Sequence, residues 1–288
     1  MRILSITAGA AEMYCGSCLR DNALAAELLR QGHDVTLMPV YTPTRVDQEN
    51  VSEDRVLLGG VSVYLQQHLA LFRKTPWLLD RLWDSKFFLN LVSKRSIEVN
   101  PKALGALTIG TLLGEHGPQN KEIKKIVHWI CNEKPYEVIN LPNAILIGLA
   151  GPIRHATGQP LCVTLQGEDL FLEGLPQEHR TRALALIRQQ IPNVDMFIAV
   201  SDYYKTFMSN SLDIPLDRIR VVPLGVSPED LSPGGRTRLT SDPFTIGYLA
   251  RVAPEKSLDL LAKAYRIFRK DHGLGPARLE VAGYLAPE

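Results

Sequence analysis

Short apolar runs alternate with longer helical segments along most of the chain, and this alternation limits the folds it can adopt. The first run, residues 2–7, leads into a glycine-containing loop and an Ala- and Leu-rich helix predicted at 18–31, before Gly32. Further strands are predicted at 35–41, 61–65, 137–141, 161–165, 196–200 and 219–222. Strands alternating with helices form βαβ units, so the sequence predicts an α/β fold with a parallel sheet.

Composition and charge exclude several classes of protein. Of the 288 residues, 45% are hydrophobic, which excludes a disordered or collagen-like chain. The formal net charge of +1 leaves no overall field to hold nucleic acid, so no nucleic-acid partner is expected. The apolar runs are shorter than the roughly 18 residues of a membrane span, and four cysteines are too few for a disulfide framework. We therefore expect a cytoplasmic protein.

Two stretches interrupt the alternation. Residues 66–102 are predicted to be helical and carry a local excess of four positive charges with interleaved aromatic residues. This pattern is typical of a solvated helix face, and it also fits a surface that touches a membrane or a protein partner. Residues 227–243 are rich in Pro, Gly, Ser and Asp and are predicted to link an N-terminal domain, 1–226, to a second domain starting at 244.

The segment 244–288 is predicted to be a strand, a loop, a helix and a second strand. A domain needs roughly 50 residues or more to bury a core, so we expect the chain to end inside its second domain. In this segment Arg251 and Lys256 follow the strand, and Ser257 is the candidate N-cap of the helix. Two cations beside helix N–H groups suit a diphosphate, although a solvated basic loop has the same spacing.

Other polar positions follow predicted strands at the edge where open α/β sheets bind ligands. Gly16 precedes the first helix, where a missing Cβ lets a ligand approach the backbone, or where a turn simply requires glycine. Gln166, Glu168, Asp169 and Glu173 follow another strand and form either a ligand site or a solvated acidic loop. Ser201 is first explained as a helix N-cap.

Cys15 and Cys18 form a C-x-x-C motif at the predicted start of the first helix. Thiols there can bind metal or undergo redox chemistry, but two ligands do not make a zinc site, and two small residues in a tight loop are the plainer interpretation. The seven histidines show no metal-ligand spacing. We expect neither a metal ion nor a bound cofactor.

Five segments, taken in order, resemble the retaining, nucleotide-sugar-dependent glycosyltransferases of family 4, which have the GT-B fold. The segments are GHDVTLMPV, VTLQGEDL, DMFIAVSDYY, IRVVPLGVSPEDLSP and IGYLARVAPEKSLDLLAKAY. The resemblance implies two Rossmann-like domains facing across a cleft, with a nucleotide-sugar donor as co-substrate. It implies that Arg251 and Lys256 are catalytic, because they match the pair that stabilises the departing diphosphate. It assigns donor binding to Gly16, Gln166, Ser201 and Gly225.

The resemblance also covers the basic stretch 66–102, where family members recognise glycan, lipid or small-molecule acceptors. Candidate contacts to an acceptor or to lipid at the inner membrane face are Arg73, Lys74, Trp77 and Arg81. The chain departs from the family at Ala250 and Ser257, where glycines are usual, and at Gln166, where histidine is usual. The family's paired glutamates lie beyond residue 288, so we expect the chain alone to be inactive.

The predicted function is transfer of a sugar from a nucleotide diphosphate to an acceptor with retention of anomeric configuration and without a metal ion. Two alternatives stay open. The first is a nucleotide-sugar epimerase or a glycoside phosphorylase on the same fold. The second is a non-catalytic module that binds a membrane surface or a partner through the helices of 66–102.

Overall fold

A computed structural model describes residues 1–9, 15–54, 56, 101–225, 243–271 and 277–283. The predicted strand at 61–65, most of the basic stretch and nearly all of the predicted linker lie outside these ranges. Contacts divide the chain into two units, Met1–Ser227 and Pro228–Glu288, here called unit 1 and unit 2. The domain bounds expected from the sequence, 1–226 and 244–288, stay a prediction.

Unit 1 contains a parallel sheet whose described strands are ordered β2-β1-β3-β4-β5-β6. The strands are β1 Arg2–Thr7, β2 Asp34–Pro39, β3 Val138–Leu141, β4 Leu161–Leu165, β5 Met196–Ala199 and β6 Ile219–Val221. All five neighbouring pairs run parallel. The predicted α/β fold with a parallel sheet is confirmed, and the strands end within two residues of their predicted bounds.

The described helices of unit 1 lie between or after these strands. They are α1 Gly16–Arg30, α2 Pro101–Leu112, α3 Asn120–Asn132, α4 Ala150–Thr157, α5 Glu168–Glu173, α6 Gln177–Gln190 and α7 Asp202–Leu212. Helix α1 begins two residues earlier than predicted. A prediction based on apolar periodicity could not place that start, since Gly16 and Ser17 carry no apolar side chain.

The core of unit 1 lies between the strands and the apolar faces of the helices. Helix α3 shows why these sequences pack this way, because Ile123, Ile126 and Ile130 recur at helical spacing and are all buried. Burying one such side chain contributes roughly 1.5–3 kcal/mol. The fully buried apolar residues of the strands are Leu4, Ile6, Met38, Ile139, Leu141, Leu161, Val163, Leu165, Phe197, Ala199 and Ile219.

One backbone crossing in this core requires glycine. A Cβ at Gly148 would lie 2.3 Å from the carbonyl oxygen of Thr111, and a Cβ at Gly114 would lie 2.5 Å from the carbonyl oxygen of Gly148. Gly114 also has a φ of 58°. The end of α2 and the 3-10 helix Ala144–Leu149 can therefore approach each other only through glycines.

Unit 2 contains β7 Phe244–Leu249, a 3-10 turn Pro254–Lys256, α8 Leu258–Asp271 and β8 Ala277–Ala282. Strands β7 and β8 are parallel, with Phe244 opposite Ala277 and Leu249 opposite Ala282. This is the βαβ unit that the sequence predicts. Among the described residues of both units, no helix is long and apolar enough to cross a membrane.

Candidate functional site

The carboxyl ends of the parallel strands in unit 1 lie at one edge of the sheet, and four predicted site residues follow them. Gly16 comes after β1, Gln166 directly after β4, Ser201 two residues after β5, and Gly225 four residues after β6. In open α/β sheets this edge is where ligands bind. The arrangement shown by the topology is therefore the one the sequence anticipated for these positions.

Gly16 is the first residue of α1, and Cys15 before it has extended backbone with no capping hydrogen bond from its side chain. A Cβ built on Gly16 would meet no described atom within 4 Å. The position is exposed. The first N–H groups of a helix have no partner within the helix, so the start of α1 presents donors and the positive end of the helix dipole.

Gln166 is held by hydrogen bonds from two directions. Arg20 Nη1 of α1 donates to Gln166 Oε1 at 2.6 Å, and Gln166 Nε2 donates to the carbonyl of Pro142 at 3.0 Å. These bonds connect α1, the loop after β3 and the loop after β4. Sequence reasoning missed Arg20, which had no signal beyond its place in the first helix. An amide with this many partners presents a fixed orientation to a ligand.

Glu168, two residues after Gln166, is 3% exposed. Its carboxylate accepts hydrogen bonds from the N–H groups of Ala144, at 3.1 Å, and Gln166, and from the hydroxyl of Tyr204, at 3.1 Å. Burial raises the pKa of Glu168, while these donors act in the opposite direction. For Glu168 the alternative of a solvated acidic loop is wrong, because the carboxylate bonds the backbone of two loops.

The Tyr204 hydroxyl connects α7 to the same loop. It lies 2.8 Å from Asp169 Oδ1, and it accepts a hydrogen bond from the N–H of Gly167 at 2.7 Å. Burial, followed by the negative charge of Glu168, raises the pKa of Tyr204, so the side chain remains a neutral phenol that donates. Sequence reasoning missed this residue too, since its partners lie more than thirty positions away.

Ser201 is the N-cap of α7. Its backbone is extended, and its hydroxyl accepts a hydrogen bond from the N–H of Tyr204 at 3.1 Å. The structural explanation given from the sequence is thus confirmed. Gly225 is exposed, and a Cβ there would meet no described atom within 4 Å. Whether either residue contacts a donor stays a prediction.

In unit 2, Arg251 and Lys256 lie on the segment between β7 and α8, and both side chains are exposed. The guanidinium of Arg251 forms an ion pair with Glu255. The backbone hydrogen bond of Glu255 and then its bond with Arg251 hold the pKa of that carboxyl below its usual range. Lys256 ends the 3-10 turn, and its carbonyl accepts a hydrogen bond from the Tyr248 hydroxyl at 3.3 Å.

Ser257 is not an ordinary N-cap, although the sequence suggested that role. Its φ of 53° and ψ of 36° are left-handed, whereas a capping serine has extended backbone. The family resemblance placed glycine here, and the left-handed backbone is the physical reason for that preference, because glycine has no Cβ to clash. Serine keeps the turn at the expense of backbone strain.

Two predictions remain, the acceptor contacts and the absence of a metal site. Arg73, Lys74, Trp77 and Arg81, with the basic stretch around them, lie outside the described ranges. Within the described ranges, no three His, Cys, Asp or Glu side chains lie close enough to hold a metal ion.

With this geometry established, comparison with known proteins decides the family. A family model described as a glycosyl transferase 4-like domain matches residues 22–225, well over half of the chain. The chain belongs to the glycosyl transferase 4-like family. The matched region contains Gln166, Ser201 and Gly225, and the family predicted from the sequence is confirmed. No curated protein sequence matches the chain.

Several solved structures resemble this chain at low identity. The lipopolysaccharide outer core galactosyltransferase WaaB, in its apo form, has 13% identity and a TM-score of 0.53, over 99% of this chain and 61% of WaaB. TarM of S. aureus, in complex with fondaparinux, alpha-GlcNAc-glycerol and UDP, has 9% identity and a TM-score of 0.55, over 99% of this chain and 73% of TarM. Anabaena HepE in complex with UDP and glucose has 15% identity and a TM-score of 0.49, over 99% of this chain and 62% of HepE.

WaaB and TarM, whose TM-scores exceed 0.5, are GT-B glycosyltransferases, so the predicted fold class is confirmed. The chain spans about three fifths of the length of HepE and WaaB. The activity, substrates and partners of the whole protein are therefore matters for proposal.

Proposed function

We propose that this protein transfers a sugar from a nucleotide diphosphate to an acceptor with retention of anomeric configuration. The observation that carries the proposal is the glycosyl transferase 4-like match over 22–225, which covers the hydrogen-bonded loops at the carboxyl edge of the sheet. Those loops present fixed polar groups at the edge where α/β proteins bind ligands.

The chemistry requires stabilisation of a departing diphosphate. When the bond between the anomeric carbon and the phosphate oxygen breaks, positive charge develops on the sugar and negative charge on the diphosphate. Arg251 can grip two oxygens of that group, and Lys256 adds a point charge. In the unliganded turn Arg251 pairs with Glu255, so the diphosphate would displace a carboxylate from the guanidinium. Preorganised donors of this kind contribute roughly 10²–10³ in rate each.

Unit 1 contributes groups without formal charge. The exposed start of α1 at Gly16 offers backbone N–H donors to a phosphate. Gln166 already uses Oε1 for Arg20 and one N–H for Pro142, which leaves its second amide hydrogen for a sugar hydroxyl. Ser201 and Gly225 complete the proposed donor-binding set.

We assign no protein nucleophile and no metal ion to the reaction. Retention then requires attack by the acceptor on the face from which the diphosphate departs. The acceptor is a glycan, a lipid or a small molecule. A cytoplasmic location, with the stretch 66–102 touching the inner membrane face, belongs to the same proposal. Sedimentation with liposomes that depends on anionic lipid and falls with salt would support this contact.

Nucleotide binding tests the donor site directly. UDP is a suitable probe because the TarM complex contains it. We expect calorimetric titration to show that UDP binds more tightly than UMP, and that Arg251→Ala and Lys256→Ala each weaken UDP binding by about 10- to 150-fold, the equivalent of one charge-assisted bond. Lys263→Ala removes an exposed cation from α8 that pairs with Asp259, and it serves as the control. Unchanged UDP affinity in both site variants would refute the assignment.

Product analysis distinguishes the alternatives. Incubation of the whole protein with UDP-sugars should yield a glycoside with the donor's anomeric configuration, seen by NMR, only when an acceptor is present. Conversion of the UDP-sugar to its epimer without acceptor would identify an epimerase. Release of a sugar phosphate from a glycoside and inorganic phosphate would identify a phosphorylase.

A further inference from the structure

Two thiols in the first turn of α1 have opposite surroundings. Cys15, the residue before the helix, is partly exposed, whereas Cys18 is fully buried. Both are free thiols. Cys15 Sγ lies 2.9 Å from Ser17 Oγ. Cys15 is the N-cap of α1 and Cys18 its third helical residue, and side chains at these two positions lie on the same side of a helix start.

The surroundings divide the two thiols by reactivity. The Cys18 thiol lowers the pKa of Cys15 to about 5, aided by the Ser17 hydroxyl and opposed by burial. The Cys15 thiol and burial raise the pKa of Cys18. A partly exposed thiolate beside a buried, protonated thiol is the arrangement that dithiol exchange requires, because the first sulfur attacks and the second resolves.

A buried carboxyl completes the cluster. Asp21 follows Cys18 by three residues on the same helix and is 3% exposed. Its Oδ1 forms an ion pair with the Arg20 guanidinium, but among the described residues its Oδ2 has no hydrogen-bond partner. Burial raises the pKa of Asp21, and its position three residues after Cys18 makes the two side chains neighbours on the helix surface. A buried carboxylate oxygen without a hydrogen-bond partner is rare and needs an explanation. Accepting a proton from Cys18 is such an explanation.

We propose that Cys15 and Cys18 form a redox-active dithiol that exchanges reversibly with low-molecular-weight disulfides such as glutathione disulfide. The sequence alone favoured two incidental cysteines. The unequal burial of the two thiols and the buried Asp21, neither visible in the C-x-x-C spacing, favour the redox centre instead.

The exchange balances in two steps. The Cys15 thiolate attacks one sulfur of glutathione disulfide, a mixed disulfide forms, and one glutathione thiolate leaves and takes a proton from water. Cys18 then passes its proton to Asp21 and attacks the Cys15 sulfur, the Cys15–Cys18 bond forms, and the second glutathione leaves with a proton. The two protein thiols lose two electrons, and glutathione disulfide gains them.

Titration of the whole chain against glutathione buffers tests the proposal. The reduced protein is equilibrated without oxygen at graded ratios of glutathione to its disulfide, quenched with acid, alkylated and mapped by peptide mass spectrometry. We expect an intramolecular Cys15–Cys18 disulfide to form and to reverse on return to reduced glutathione. Exposed Cys131 is the internal control and should form only a mixed disulfide. If Cys15 and Cys18 stay reduced, or carry separate glutathiones, where Cys131 is modified, the proposal is wrong.

Single variants test the order of the steps. Cys18→Ser should accumulate the mixed disulfide at Cys15, and Cys15→Ser should leave residue 18 reduced. Asp21→Asn should slow resolution of the mixed disulfide by about 100-fold, the size of a general-base effect. Cys131→Ser should change none of these results. Equal modification of Cys15 and Cys131 in the Cys18→Ser variant would overturn the assignment of Cys15 as the attacking thiol.

A pH profile keeps the proposal testable if Asp21→Asn does not fold. In the native chain, the rate of Cys15 alkylation should reach half its maximum near pH 5, with Cys18 and Asp21 the titratable groups facing it. A midpoint at about 8.5, the value of an ordinary thiol, would overturn the proposal. None of these measurements depends on glycosyl transfer.

Discussion

Removal of one oxygen atom by Tyr204→Phe should destabilise unit 1 substantially. The phenol hydroxyl lies 3.1 Å from Glu168 Oε2 and 2.8 Å from Asp169 Oδ1, and it accepts from the Gly167 N–H at 2.7 Å. Phenylalanine keeps the ring and its stacking on Phe207, where the ring centroids are 6.1 Å apart. The variant therefore removes the hydrogen bonds and little else.

The expected magnitude follows from the charge of the partner. A hydrogen bond to a charged group is worth about 1.5–3 kcal/mol, and Glu168 is too buried for water to replace the lost donor. Gly167 is exposed, so water can satisfy its N–H, and that loss adds little. We expect the free energy of unfolding to fall by roughly 2–3 kcal/mol. The loss should be smaller in acid, where a protonated Glu168 needs the donor less.

Urea unfolding followed by tryptophan fluorescence reports on unit 1, because Trp129 lies in α3 and the sequence of unit 2 contains no tryptophan. Tyr203→Phe is the matched control. It deletes the same atom from the adjacent residue, which is 77% exposed, and should change the unfolding free energy by less than about 0.5 kcal/mol. If the two variants are equally stable, the Glu168–Tyr204 bond does not hold the loop after β4.

Three further variants follow from the same structure. Glu168→Gln should gain stability relative to the native chain as pH rises above about 4.3, because the raised pKa of Glu168 in the folded state means that its ionisation destabilises the fold. Urea unfolding at several pH values measures this gain, and a stability difference that does not change with pH would contradict it. Gly16→Ala should leave the free energy of unfolding unchanged or raise it by up to about 1 kcal/mol. The same variant should weaken UDP binding about tenfold in calorimetry, and an unchanged UDP affinity would remove Gly16 from the donor site. Ser257→Gly should stabilise the start of α8 by roughly 0.5–1 kcal/mol, because the relief of left-handed backbone strain exceeds the entropy cost of glycine. Amide hydrogen exchange at the start of α8 measures this change, and faster exchange in the variant would contradict it.

Much of the fold could be predicted because its signals are local. Strands β1 and β4 have the bounds that their apolar runs predicted, and the cap at Ser201 follows from the residue type before a helix. The start of α1 was missed, since Cys15, Gly16 and Ser17 give no apolar periodicity. The backbone of Ser257 was also missed, because serine rarely adopts left-handed φ.

The candidate site was predicted in its positions but not in its connections. The sequence placed Gln166 and Glu168 after a strand and left open whether they were solvated. Only the fold brings Arg20 to Gln166 across 146 positions, and Tyr204 to Glu168 across 36. The same holds for Asp21, whose unpartnered oxygen and nearness to the thiols depend on how α1 packs.

The sequence by itself determined the elements, their order and the family, because apolar periodicity, caps and short motifs act over a few neighbouring residues. The tertiary structure alone decided which carboxyls are buried, which donors satisfy them and which thiol carries the charge. Burial shifts a pKa where distant segments meet and exclude water, as they do at Glu168. The side chains at this edge of the sheet owe their chemistry to that packing.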